Sequence, residues 1–212
     1  MQSIALIDYG SGNLRSAEKA LIKASAALGA RTVVTTADPD LIARADRIVL
    51  PGVGAFAACM DAFSARPGLT EALDEAVRRR GAPFLGICVG MQLLASRGLE
   101  FGQTPGLDWI GGDVRRLEPS EARFKVPHMG WNDIALARPH PLFAAIETAP
   151  MYFTHSFALF PKDADDALAF ADHGGPVVAA VARGNVAGVQ FHPEKSQAAG
   201  ARLLANFLDW RP

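Results

Sequence analysis

Ten residues, Pro83-Phe84-Leu85-Gly86-Ile87-Cys88-Val89-Gly90-Met91-Gln92, constrain this chain more than any other stretch. An apolar run leads into Gly-x-Cys-x-Gly, and Met91-Gln92-Leu93-Leu94-Ala95 continues as helix. A strand that turns sharply into a helix holds its turn residue at the carboxyl edge of a sheet, on a strained backbone. Gly86 and Gly90 suit an elbow whose neighbouring backbone leaves no room for a Cβ. Cys88 then sits at a helix N-terminus, where the dipole favours thiolate. The plainer reading is a small buried apolar residue.

The segment Gly188-Val189-Gln190-Phe191-His192-Pro193-Glu194-Lys195-Ser196 decides between them. A cysteine nucleophile needs a base to take its proton, and the base needs a group that fixes its tautomer. His192 and Glu194 supply both types at the end of an apolar strand, with Pro193 stiffening the backbone between them. Alone, either would be a solvated strand-end residue. With the elbow, they read as a catalytic set.

The chain has 212 residues, half of them hydrophobic and a fifth charged, which suits one α/β domain over 1–212 with a substantial core. A net charge of −1 supplies no pull toward nucleic acid or an anionic membrane. Met1 to Asp8 reads as a first strand, not a signal peptide, and no apolar run is long enough to span a bilayer. Cys59 and Cys88 fit a reducing cytoplasm better than a disulfide framework. Neither C-x-x-C nor H-x-x-x-H spacing occurs, so no metal is expected; no cofactor is expected either.

In chain order, strands are expected over Ser3–Asp8, Arg31–Thr36 and Asp46–Leu50. Helices are expected over Leu14–Leu28, with Asn13 as N-cap and Gly29 as stop, and over Pro39–Arg44. Pro51-Gly52-Val53-Gly54-Ala55-Phe56 opens another helix through Ala65, and Leu69–Arg80 leads to the elbow. This alternation predicts a mostly parallel sheet with helices on both faces, flavodoxin-like, whose post-strand loops share one edge. The Gly10-Ser11-Gly12 turn is not a dinucleotide fingerprint, because its third glycine would fall at Arg15.

Gly98–Gly106 reads as loop. Strand-like pieces follow at Asp113–Leu117, Trp131–Leu136, Met151–Phe157 and Leu168–Ala171, and Val177–Ala182 with Val186–Phe191 forms a hairpin around Gly184-Asn185. This second half predicts a smaller antiparallel or mixed sheet portion. Ala199–Trp210 closes the chain as an amphipathic helix. His128, His140 and His173 are expected in turns or at the surface, His155 at the pocket, and Cys59 as packing.

With these residues in place, the chain resembles the class I (triad-type) glutamine amidotransferases over essentially its whole length. Gly86-Ile87-Cys88-Val89-Gly90-Met91-Gln92 and His192-Pro193-Glu194 carry that likeness. Tyr9-Gly10-Ser11-Gly12-Asn13-Leu14, the Pro51–Phe56 turn, Pro127-His128-Met129-Gly130-Trp131-Asn132 and Pro193-Glu194-Lys195-Ser196 narrow it. They resemble the glutaminase subunits of the imidazole glycerol phosphate synthases of histidine biosynthesis.

The resemblance implies that Cys88 attacks the carboxamide of L-glutamine, His192 shuttles the proton to ammonia and Glu194 orients His192. It implies oxyanion donors at Val89 N–H and, after a peptide reorientation permitted by Gly52 and Gly54, at Val53 N–H. Gln92 and the backbone of Ser156 and Phe157 would hold substrate. It further implies a heterodimer with a (β/α)₈-barrel cyclase subunit. That subunit would use the ammonia to convert a ribulosyl phosphate intermediate (PRFAR) into imidazole glycerol phosphate and an aminoimidazole ribotide (AICAR). Asn13, Trp131, Tyr152 and Lys195 are the interface candidates. Alternatives are a glutaminase serving another synthase, such as anthranilate synthase, a catalytically silent binding module that would be expected to lack triad members, and an α/β-hydrolase with cysteine for serine. In the hydrolase the acid precedes the histidine; here it follows.

Overall fold

The apolar run Gln2–Ile7 forms the first strand, β1, and loses its inner residues to the core. The computed structural model describes every residue except Met1, Ala27 and Ala30. Helix α1 (Leu14–Ala26) follows, and Ala27, inside the expected helix, lies outside the described residues. Gly29, at φ 90°, takes the left-handed turn that only glycine adopts freely. Strand β2 (Arg31–Thr36) and helix α2 (Pro39–Arg44) match expectation, with Asp38 capping α2 through its bond from Asp40 N–H. Strand β3 (Arg47–Gly52) runs two residues further than expected, carrying Pro51 and Gly52 into the sheet. Helix α3 (Phe56–Ser64) and helix α4 (Leu69–Leu73) come next, and α4 widens into a π-helix over Asp74–Arg79 where one α-helix was expected.

Strand β4 (Phe84–Cys88) ends on the nucleophile candidate, and helix α5 (Val89–Gln92) is a single turn instead of reaching Ala95. The carbonyls of Leu93, Leu94 and Ala95 are claimed by Leu107, Trp109, Ile110 and Asp108 N–H groups, so the chain folds back there. Strands β5 (Arg97–Gly98) and β6 (Thr104–Pro105) give the expected loop a short ladder. The second half holds β7 (Gly112–Arg116), β8 (His128–Asn132), β9 (Ala135–Leu136), β10 (Met151–His155), β11 (Phe157–Pro161), β12 (Ala167–Asp172), β13 (Pro176–Arg183) and β14 (Val186–Val189). Helix α6 (Gln197–Asp209) ends the fold and packs on α1, while α2 packs on α4.

The main sheet runs β2-β1-β3-β4-β14-β13-β12-β9. From β2 to β14 its pairs are parallel, and from β14 outward antiparallel. Strands β3, β4 and β14 are buried along their whole length, as expected at the centre of a sheet covered on both faces. Two expected strands are each split. Trp131–Leu136 divides between β8, in a ribbon with β10, and β9, on the edge of the main sheet. Met151–Phe157 breaks at Ser156, which sends β10 to the ribbon and β11 to a mixed sheet of order β11-β7-β5-β6. Local periodicity does not register a strand that changes sheets. The register places the site: Gly52 lies opposite Cys88, and Val189 opposite Ile87, so the chain leaving β14 emerges beside the elbow.

Candidate active site

Cys88 holds φ 55° and ψ −113°, a strained backbone for a residue with a side chain. The glycines around it are there for space. A Cβ on Gly90 would lie 1.9 Å from the Leu50 carbonyl oxygen, and one on Gly86 would lie 2.5 Å from the Gly90 oxygen. Gly52 belongs to the same packing, because its Cβ would meet Gly90 N at 2.7 Å. With α5 only one turn long, the helix dipole at Cys88 is weaker than the sequence suggests.

His192 and Glu194 flank Pro193, which starts a 3-10 turn (Pro193–Lys195), and His192 Nδ1 is 2.9 Å from Glu194 Oε1. Both side chains are almost completely buried. His192 N–H donates to the Tyr152 carbonyl, and Ser196 Oγ donates to the His192 carbonyl, so the His192 backbone is held on both sides. Burial alone would push the imidazole down, but Cys88 and then Glu194 outweigh it and lift its pKa to about 9. His192 Nε2 is buried without a hydrogen-bond partner, and Cys88 is the neighbour that raises the ring most. A buried carboxylate on one ring nitrogen and a thiol near the other is the arrangement for proton shuttling from a sulfur nucleophile.

A cavity of about 310 Å³ opens on Cys88 and His192. Val53, Gly54, Val89, Gln92, Ser156 and Phe157 line it, as the sequence reading expects of substrate-binding residues. Gly52 does not; it lines a much smaller space behind the triad with Asn13, His192 and Glu194. The reading that both Gly52 and Gly54 free the oxyanion peptide therefore needs correction: Gly52 is packed, and only Gly54 has a positive φ, 103°, with open space where a Cβ would go. Val53 N–H points to Ser11 Oγ at 3.4 Å, and the Val53 carbonyl accepts from Ser11 Oγ at 2.8 Å and Cys59 Sγ at 3.4 Å. Cys59 is thus buried packing, as expected, and also a contact of this turn.

Of the interface candidates, the ribbon brings Trp131 and Tyr152 opposite each other with rings edge to face at 5.9 Å. Lys195 Nζ lies 5.7 Å from the Tyr152 ring. Trp131 is 48% exposed, too much for a packing residue of its size. Asn13 stands apart, behind the triad, and its carbonyl accepts from Ala17 N–H in the first turn of α1.

A family model of the class-I glutamine amidotransferases matches residues 5–210. The chain belongs to that family. It is similar to imidazole glycerol phosphate synthase subunit HisH of Caulobacter vibrioides, 64% identical over 215 residues that cover all of both chains. It is also similar to the HisH subunit of Ruegeria pomeroyi, 53% identical over 98% of this chain and 99% of the relative. Among solved structures, a putative GMP synthase component from Thermoplasma acidophilum covers 99% of this chain and 93% of its own, with TM-score 0.68 at 20% identity. Another solved glutamine amidotransferase superposes at TM-score 0.70 with 17% identity, covering 97% of each. At those identities the likeness is one of fold.

The structure also brings to the cavity or to Cys88 residues that the sequence did not single out. Gln190 is fully buried; its Nε2 lies 3.7 Å from Cys88 Sγ, and its Oε1 accepts from Gln92 Nε2 at 3.0 Å. The alternation of β14 carried past its end would have turned it inward, beside the elbow. Glu100 lines the cavity and accepts from Phe56 N–H at the start of α3, whose own cap position is Ala55. His128 is buried on β8, against the expectation of a turn or surface residue, because it alternates with exposed Met129 and Trp131. His173 is half-buried and stacks on His128, and half-buried His140 accepts from Leu142 N–H to cap a 3-10 turn. His155 does line the cavity.

Proposed function

We propose that this chain is a glutaminase subunit of imidazole glycerol phosphate synthase, hydrolysing L-glutamine to L-glutamate and ammonia. The observation that carries this is the buried set of Cys88, His192 and Glu194, the first two lining a pocket, in a chain 64% identical end to end to a HisH subunit. Cys88 gives its proton to His192 Nε2, and the sulfur attacks the carboxamide carbon. The tetrahedral adduct collapses as His192 returns the proton to the leaving nitrogen, releasing ammonia and a γ-glutamyl thioester. Water, deprotonated by His192, attacks the thioester; glutamate departs and Cys88 leaves as thiol.

Val89 N–H, directly after the nucleophile, is one oxyanion donor, and Val53 N–H becomes the second after the turn releases it from Ser11. The resting contact of Val53 N–H supports low turnover without a partner. Gln92 and the backbone of Ser156 and Phe157 hold the substrate at the cavity wall. The partner is a (β/α)₈-barrel cyclase, bound as a heterodimer in the cytoplasm over the face of Trp131, Tyr152 and Lys195; Asn13, the remaining interface candidate, lies apart from that face. The cyclase uses the ammonia as it forms to make imidazole glycerol phosphate and AICAR from PRFAR.

Glutamate release by the purified chain, alone and with a histidine-pathway cyclase barrel and its nucleotide ligand, tests this. Strong stimulation, lost in Cys88→Ala, is expected. Equal turnover with and without the barrel would point to another synthase partner, and none in either case to a silent binding module.

A further inference from the structure

Between the ribbon and the pocket, polar side chains form a line whose hydrogen-bond directions are dictated from both ends. At one end, the Phe157 carbonyl accepts from His155 Nδ1 at 2.9 Å. A carbonyl only accepts, so His155 carries its proton on Nδ1 and, when neutral, leaves Nε2 as acceptor. His155 Nε2 is 3.0 Å from His128 Nδ1, which must donate. His128 Nε2 is then an acceptor, and Asn132 Nδ2 lies 3.0 Å from it. At the far end, Asn132 Nδ2 also donates to the Asp172 carbonyl at 2.8 Å, which independently orients that amide. A proton added to either imidazole would set donor against donor somewhere along the line.

Burial pushes His128 down to about 3 and His155 down to about 4, in keeping with two neutral rings. His128 is sandwiched between the Phe153 ring at 4.5 Å and the His173 ring at 4.2 Å. The line does not stop at Phe157. The same carbonyl accepts from Gln92 Nε2 at 2.9 Å, Gln92 donates again to Gln190, and Gln190 reaches the Cys88 sulfur.

We infer that the His128–His155 pair is a positioning element of the glutaminase site, and that Gln190 is a further catalytic residue touching the nucleophile. Through the Phe157 carbonyl the pair sets the wall of the substrate pocket and the orientation of Gln92. Through Gln92 it aims the Gln190 amide at Cys88, where one N–H steadies the thiolate that attacks glutamine. The inference rests on the glutaminase reading given above.

Two measurements test it. Long-range ¹⁵N–¹H spectra of the wild-type imidazoles should show His128 and His155 neutral and protonated on Nδ1 from pH 6 to 8. Nε2–H or an imidazolium at either ring would overturn the pair. In partner-stimulated glutamine titrations, His155→Leu should raise KM at least tenfold. His155→Asn, which keeps an N–H for Phe157, should stay within threefold of wild type. Gln190→Met should lower kcat about tenfold with KM little changed. Wild-type constants in both His155→Leu and Gln190→Met would overturn the inference while leaving the glutaminase intact. Absence of wild-type turnover with and without the barrel would instead refute the functional reading itself.

Discussion

Two turns face each other across the pocket, and they are built on opposite terms. Both leave neighbouring parallel strands, β3 and β4, whose ends pair Gly52 with Cys88. The elbow after β4 is locked by backbone: Gly86 and Gly90 have neighbours at 2.5 and 1.9 Å from where a Cβ would sit, and Val89 is buried. The turn after β3 is locked only as far as Gly52. Val53 is 43% exposed, Gly54 has open space around it, and the peptide is held by Ser11 and Cys59 side chains. A backbone clash costs several kcal/mol to relieve, whereas a partly exposed hydrogen bond is worth about 1 kcal/mol. Packing therefore fixes the proposed nucleophile, Cys88, whereas the Val53 peptide proposed as oxyanion donor is held weakly enough for a partner to turn it.

Breaking the fixed side should have the largest effects. Cys88→Ala should reduce glutamate release by about 10³-fold or more, with the thermal midpoint nearly unchanged. Gly90→Ala drives a methyl into the Leu50 carbonyl and should cost about 3 kcal/mol or more, lowering the midpoint by roughly 10 °C in a calorimetric scan. On the switchable side, Gly54→Ala meets no atom but must hold a positive φ, at about 1 kcal/mol and roughly 3 °C. If Gly54→Ala cost as much as Gly90→Ala, the contrast between the turns would fail. Ser11→Ala removes a bond that holds Val53, so partner-independent turnover should rise severalfold while the midpoint stays close to wild type. A loss of partner-independent turnover would show that Ser11 supports the active peptide instead.

His192 sharpens the same contrast through pH. His192, lifted to about 9 by Cys88 and Glu194 against its burial, should titrate near that value by NMR and well below it in Cys88→Ala. Because its folded pKa exceeds the unfolded value of 6.5, its contribution to stability is full below pH 6.5 and is lost as pH rises through about 9. A wild-type midpoint that held constant across that window, with carboxylates already ionised, would contradict the linkage.

Much of this was legible in the residues. The elbow, the His-Pro-Glu segment and the alternation of strands and helices up to Cys88 all appear where local pattern predicts them, because apolar runs and glycine turns act over a few residues. The second half was less legible. Ser156 divides one apolar run between two sheets, and Trp131–Leu136 splits in the same way, since a chain that changes sheets keeps its residue types. The burial of His128 is hard to see in the sequence for a related reason: in a six-residue motif containing proline and glycine, strand alternation is obscured, yet it decides which side chains face inward.

By itself the sequence determined the chemistry on offer: a thiol on a strained elbow, an imidazole and a carboxylate two residues apart, and glycines where side chains cannot fit. These are properties of residue type and short spacing. Only the tertiary structure decided that Gly52 is packed while Gly54 is free, that Gln190 reaches the sulfur, and that His128 and His155 pair inside the ribbon. Each depends on register between strands far apart in the chain, and a difference of one residue in register would have turned the same side chains to the opposite face.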